Sequence, residues 1–360
     1  MRSLARSAAL AALPALVLTS CGLAVLASPA LAPEVANAPT TGVTPLAAPA
    51  AAAALSKIAA PQPAVAVKPT PAAADLADAK HIWQTLNNCG PASVVMTLSS
   101  LGVDADQETA RLALRGPDVR RGMSPVGVDP WVQREFGLRA VWRNDGTNAL
   151  IKALVANGFA PMVTQWMEDP SISRIAHWRT IVGYDDASGV FYTNDPMRGR
   201  HVALTYQWFD RNWRSFSYRY LVIYRPQDEP LVQAIVGADW SERAMRQHYY
   251  ERASAEAAQR NDSASWLALG EAAYQNGMFP EAVAAFQRGL TLGSGDGVYT
   301  LRSSYSQALR ALGRTGEAAA VQRRFAGSAH ASSTVAPPPD SFALLLANER
   351  ARPDEARLTE

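Results

Sequence analysis

The chain of 360 residues carries two cysteines, Cys21 and Cys89, and five histidines. Cys89 is the one whose neighbours fit chemistry. The run Gln84-Thr85-Leu86-Asn87-Asn88-Cys89-Gly90-Pro91-Ala92-Ser93 leads into Val94-Val95-Met96, Leu98 and Leu101, and Gly102 closes it. That spacing predicts an amphipathic helix with Pro91 in its first turn and a glycine stop. A thiol at a helix N-terminus sits among unpaired backbone N–H groups, which favour thiolate over thiol. Such a sulfur is a nucleophile once a histidine reaches it and a third group orients that histidine. A lone cysteine on a helix is more often core packing. What sets Cys89 apart is the glutamine five residues upstream and the Gly-Pro that follows it.

The partners are found downstream. Residues 177–184 read as a strand, 185–189 as a turn and 190–194 as a return strand ending in Asp195-Pro196. A hairpin folded about Ala187 brings His177 opposite Met197, close to Asp195. Side chains alternate along a strand, so only one of Asn194 and Asp195 shares the face of His177; the sequence leaves both open. His81, His201, His248 and His330 have no comparable acid across a predicted turn. No Cys/His pair has metal-ligand spacing, so neither metal nor cofactor is expected.

The elements that must hold these residues lie within 75–225, where the composition is that of a packed domain. Helices are expected over 104–114, 129–136 and 148–155, strands over 138–142 and 161–166, and a loop over 122–125.

Four separated motifs in one order resemble a papain-clan cysteine peptidase, nearest to the double-glycine leader (bacteriocin-processing) peptidase-like family. They are Gln84, then Asn88-Cys89-Gly90-Pro91-Ala92-Ser93, then His177 with Val182-Gly183-Tyr184-Asp185, then Asn194-Asp195-Pro196. Residues 158–163 also resemble that family's central strand. The resemblance implies an α+β papain-like domain, with a helix carrying the cysteine and an antiparallel sheet carrying histidine and acid. It further implies Cys89 as nucleophile, His177 as base then acid, Asp195 as orienting group, Gln84 as oxyanion-hole donor, and a peptide or protein as substrate.

The flanks read differently. Arg2 and Arg6 before an apolar 8–18 form a targeting segment over 1–32. Leu18-Thr19-Ser20-Cys21 resembles a bacterial lipobox, with lipidation at Cys21 and a membrane anchor on an exported protein; Ala30-Leu31-Ala32 is the alternative site for simple secretion. Residues 33–74, rich in alanine and proline, read as an extended tether. The peptidase-like domain is bounded at 75–228 and an all-α region at 231–327. Within the latter, Trp266, Leu269-Gly270, Gly277, Phe279, Ala282, Phe286 and Leu290 resemble a tetratricopeptide repeat, echoed by Gly313 and Ala318. That implies either a docking surface for a protein partner or a cap on the enzyme. Residues 328–360 read as a disordered tail.

A net charge of +2 offers no basic stripe for phosphates, so nucleic acid is not an expected partner. With Cys89 the one cysteine in the packed region, no disulfide framework is expected. The leading expectation is an exported thiol hydrolase of peptide bonds. The alternatives are a transglutaminase-like acyl transferase using the same three residues and a non-catalytic adaptor lipoprotein binding through its repeats.

Overall fold

The run Tyr220-Leu221-Val222-Ile223-Tyr224 is buried at all five positions, which marks a strand covered on both faces. It lies inside a sheet sandwiched between helices. The structure is a computed structural model describing residues 65–118, 121–169, 172–293 and 298–325. Its first half contains β1 (Ala73–Asp75), α1 (Cys89–Ser100), α2 (Gln107–Leu114), α3 (Val128–Phe136), β2 (Arg139–Arg143) and α4 (Asn148–Ala156). Next come β3 (Met162–Asp169), β4 (Ile172–Asp185), β5 (Val190–Asp195), β6 (Gly199–Thr205), α5 (Tyr206–Arg214) and β7 (Tyr220–Tyr224). Helices complete the chain: α6 (Glu229–Val236), α7 (Glu242–Arg260), α8 (Ser263–Gln275), α9 (Phe279–Leu292), α10 (Val298–Ala311) and α11 (Thr315–Phe325). No described helix is long and apolar enough to cross a membrane. The targeting segment with Cys21 and the tail beyond 328 lie outside the described residues.

The sheet runs β2-β7-β3-β4-β5-β6 with every pairing antiparallel, and β1 joins β4 beyond the end of β3. One face carries α1, α2 and α3, packed through Val94, Val95 and Leu98 against Trp178, Leu221 and Ile223. The other is covered by α4 to α8, where Ile151, Phe209, Trp213, Val232 and Tyr249 meet Val163, Ile181 and Val222. An antiparallel sheet with helices on its faces is consistent with the α+β class expected.

Several elements differ from expectation. Helix α2 begins at Gln107 rather than 104 because Asp106 caps it, its carboxylate accepting from the Thr109 N–H at 2.7 Å. Strand β4 extends five residues before His177, paired along β3. The Ala/Pro-rich stretch is not a free tether over its last ten residues, 65–74. There Ala73–Asp75 pair with Gly183–Asp185, the Lys68 N–H donates to Asn157 Oδ1 at 2.9 Å, and the Tyr184 hydroxyl donates to the Pro71 carbonyl at 2.8 Å. A Cβ at Gly183 would lie 2.9 Å from the Ala74 carbonyl oxygen, so glycine is what lets β1 approach.

The C-terminal helices do not stand apart. The described residues fall within one compact unit, and Tyr249, Ala253 and Ala272 belong to the same core as the sheet. Helices α8 to α11 also share a core of their own around Phe286, Tyr305 and Leu309. In it, Gly270 faces the Phe286 ring and Gly289 faces Leu267, each so closely that a Cβ would come within 2.8 Å of that neighbour.

Candidate active site

Helix α1 begins on Cys89, with Asn88 as its N-cap. Asn88 makes no side-chain cap bond to the helix; its Oδ1 accepts from Arg115 Nε at 3.0 Å and its Nδ2 donates to the Thr85 hydroxyl. The first-turn N–H groups are therefore not taken up by the cap. The sulfur of Cys89 receives backbone N–H groups from Gly90 and from Trp178 on β4. A Cβ at Gly90 would stand 2.6 Å from Met123 Cβ, so the loop before α3 can lie against the start of the helix.

Helix α1 is fixed over β4 by the Thr180 hydroxyl, which donates to the Ser93 carbonyl at 3.0 Å, and by Trp178 packed among α1 residues. That placement sets the Cys89 thiol against the His177 imidazole, with which it hydrogen-bonds. His177 Nε2 meets Asp195 Oδ1 at 2.8 Å, and both side chains are fully buried. Buried Nδ1 has no other hydrogen-bond partner, which leaves the thiol as its neighbour of interest.

Asp195 is held from four directions. Besides His177, Oδ1 accepts from the backbone N–H groups of Met197 (2.8 Å) and Arg198 (3.0 Å), and Oδ2 accepts from Arg179 Nε at 2.7 Å. Burial opposes its charge, yet His177, Arg179 and these donors hold the carboxyl far below the usual carboxylate range. For His177, burial disfavours the imidazolium; the Asp195 charge and hydrogen bonds outweigh that and raise its pKa. For Cys89, burial favours the thiol, but the hydrogen bond and charge of His177 with the two backbone N–H groups lower its pKa. The three shifts together favour a thiolate–imidazolium pair beside an ionised Asp195.

Asn194 does other work. Its Nδ2 donates to the carbonyls of Ala79 (3.1 Å) and Lys80 (3.3 Å), and its Oδ1 accepts from the His201 N–H. It pins the segment leading to Cys89, and Asp195 is the residue that meets His177. Gln84 is buried and its N–H donates to the Pro196 carbonyl at 2.9 Å, next to Asp195. The four candidate residues of this domain thus converge on one end of the hairpin.

The sequence reading missed Arg179, which is fully buried, holds Asp195 with Nε, donates through Nη1 to Gln165 Oε1 at 3.1 Å and stacks over Trp208. The signal was present: Arg179 is two residues from His177 and so on its face of the strand. His81, set aside in the sequence for want of an acid across a turn, donates through Nε2 to the Asp195 carbonyl at 2.9 Å. Among the described residues no three His, Cys, Asp or Glu side chains are gathered to hold a metal ion.

No curated protein matches the chain. Among solved structures, a proposed C39-like peptidase from Bacillus anthracis is similar, at 14% identity over 42% of this chain and 98% of its own, with a TM-score of 0.36. Residues 76–221, which run from the segment before α1 into β7 and include Cys89, His177 and Asp195, match the Peptidase_C39 like family, so this part of the chain is similar to papain-like C39 peptidases.

Proposed function

We propose that residues 76–221 hydrolyse peptide bonds with Cys89 as nucleophile. The observation that carries this is the contact of a helix-start thiol with an imidazole whose far nitrogen is bound by a buried carboxylate. The thiolate attacks the amide carbonyl carbon and its electrons move onto oxygen. The Cys89 backbone N–H and the Gln84 side-chain amide are the donors assigned to that oxyanion. Imidazolium His177 then gives its proton to the departing amine as the C–N bond breaks, leaving a thioester. His177, now neutral, takes a proton from water as it attacks the thioester, and the thiolate leaves. Asp195 holds one tautomer throughout and stabilises the charged imidazole.

The reactive pair requires a deprotonated sulfur and a protonated ring. With the thiol pKa lowered and the imidazole pKa raised, hydrolysis should rise with pH through the first and fall through the second, giving a bell-shaped profile. The full chain, incubated with a diverse peptide library, should yield cleavage products that disappear in Cys89→Ala. Products of equal abundance in that variant would refute the assignment. Under this reading the peptide is substrate; an amine acceptor that captured the acyl group faster than water would point instead to acyl transfer.

A further inference from the structure

Arg115 closes α2, yet only 3% of it is exposed. Its Nε donates to Asn88 Oδ1 at 3.0 Å and its Nη1 to the Asp118 carbonyl at 2.8 Å. Nη2 is buried without a hydrogen-bond partner. Among the described residues no carboxylate forms an ion pair with this guanidinium; the nearby Glu108 pairs with Arg111 instead. A buried cation lacking a countercharge is costly, so its retention asks for an anion. The residue it grips, Asn88, directly precedes Cys89.

The charged groups around Arg115 are Arg111 and Glu108 on its own helix, Asp118 in the following loop and Cys89 on α1. Of the three anionic ones, Cys89 does most to keep the guanidinium charged, ahead of Glu108 and Asp118. Cys89 in turn faces His177 and the N–H groups of Trp178 and Gly90, while Arg179 reaches it through space. His177 is thus not the only cation in the thiol's surroundings.

We propose that Arg115 is a positioning residue for the reactive thiol: it fixes the Asn88 cap and sets a permanent positive charge beside the Cys89 thiolate. Permanence matters, because His177 changes protonation during turnover and a guanidinium does not. At the thioester stage, when His177 has given up its proton, Arg115 still carries its charge. The inference rests on the reading above that Cys89 reacts as a thiolate.

The test is the pH dependence of Cys89 alkylation by iodoacetamide in the full chain, read on the Cys89 peptide by mass spectrometry. Wild type, His177→Ala, Arg115→Gln and Arg115→Lys are compared, with near-ultraviolet circular dichroism to establish folding. Gln can still donate to Asn88 but carries no charge, so alkylation below neutral pH should fall roughly tenfold as the thiol pKa rises by about one unit. Lys keeps the charge and should stay within about threefold of wild type. A folded Arg115→Gln with the wild-type profile overturns the proposal. If that variant does not fold, Arg115→Lys decides: a near-wild-type profile supports it, and one displaced as far as that of His177→Ala overturns it. Failure of the underlying reading looks different, because the wild-type thiol would then titrate near its ordinary value and His177→Ala would leave it there.

Discussion

The hairpin end around His177 and the helical pair α8–α9 are stabilised in opposite ways. At the first, three charged or chargeable side chains, His177, Asp195 and Arg179, are fully buried and satisfied mainly by one another and by backbone N–H groups. At the second, closeness of backbone is the device: Gly270 against Phe286 and Gly289 against Leu267. Buried charge is a poor source of stability compared with apolar packing of similar volume. Its concentration at the hairpin end is therefore evidence about chemistry, and the plain packing of the helices carries no such evidence.

The comparison can be broken most sharply at Arg179. Arg179→Leu leaves Asp195 buried with a single charged partner, and the expected loss is about 3–5 kcal/mol in urea unfolding. A loss below about 1 kcal/mol would mean the network is not the closed unit described. Gly270→Ala should cost roughly 1–3 kcal/mol by forcing the Phe286 ring away. It should leave Cys89 alkylation unchanged, and a parallel drop in thiol reactivity would show that the helices and the site are one energetic unit.

The smallest effect is expected outside both regions, in the loop between β2 and α4. Asp145, beside α7, accepts from Arg252 Nη1 at 3.1 Å, yet burial is the larger influence and raises its carboxyl to about 6. An unfolded aspartate titrates near about 3.9, so between those values the folded protein holds the extra proton. Stability from this group is therefore full at acid pH and lost as pH rises through about 6. Asp145→Asn removes that dependence, and after the lost Arg252 bond is set against it, a gain of roughly 1 kcal/mol at pH 7 remains. Thermal melts of both proteins from pH 5 to 7 would show the difference narrowing toward acid; a constant difference would contradict the burial argument.

Much of the site was legible because it is local. The helix of Cys89 announces itself by apolar spacing, Pro91 and Gly102, and His177 opens an apolar strand. The choice between Asn194 and Asp195 was not legible, and the reason is a bulge. Near the turn Tyr184 pairs with Phe191; continued unbroken, that register would set Asn194 across from Ile181, on the His177 face. The irregularity between Ile181 and Gly183 shifts the pairing to Thr180↔Asn194, and one step on Asp195 stands across from Arg179. A single inserted residue decides which side chain meets the imidazole, and no hydropathy pattern records it. Arg115 was hidden for another reason: at a helix end an arginine reads as surface, and only tertiary packing buries it. Strand β1 was invisible because its alanines have little strand preference, its pairing being permitted from the other side by Gly183.

That short strand also has a mechanical meaning. The described chain enters at the end of β4 away from His177, and Tyr184, at β1, is seven positions from His177, about 23 Å along the strand. From there residues 76–88 lead directly to Gln84 and Cys89. A pull applied through the N-terminal side would meet the Lys68, Pro71 and β1 hydrogen bonds first, loaded before any force reached the segment that aims the thiol. Strand β1 acts as strain relief on the lead to the nucleophile, so tugging at the chain's N-terminal side need not disturb the spacing of sulfur and imidazole until β1 has peeled away.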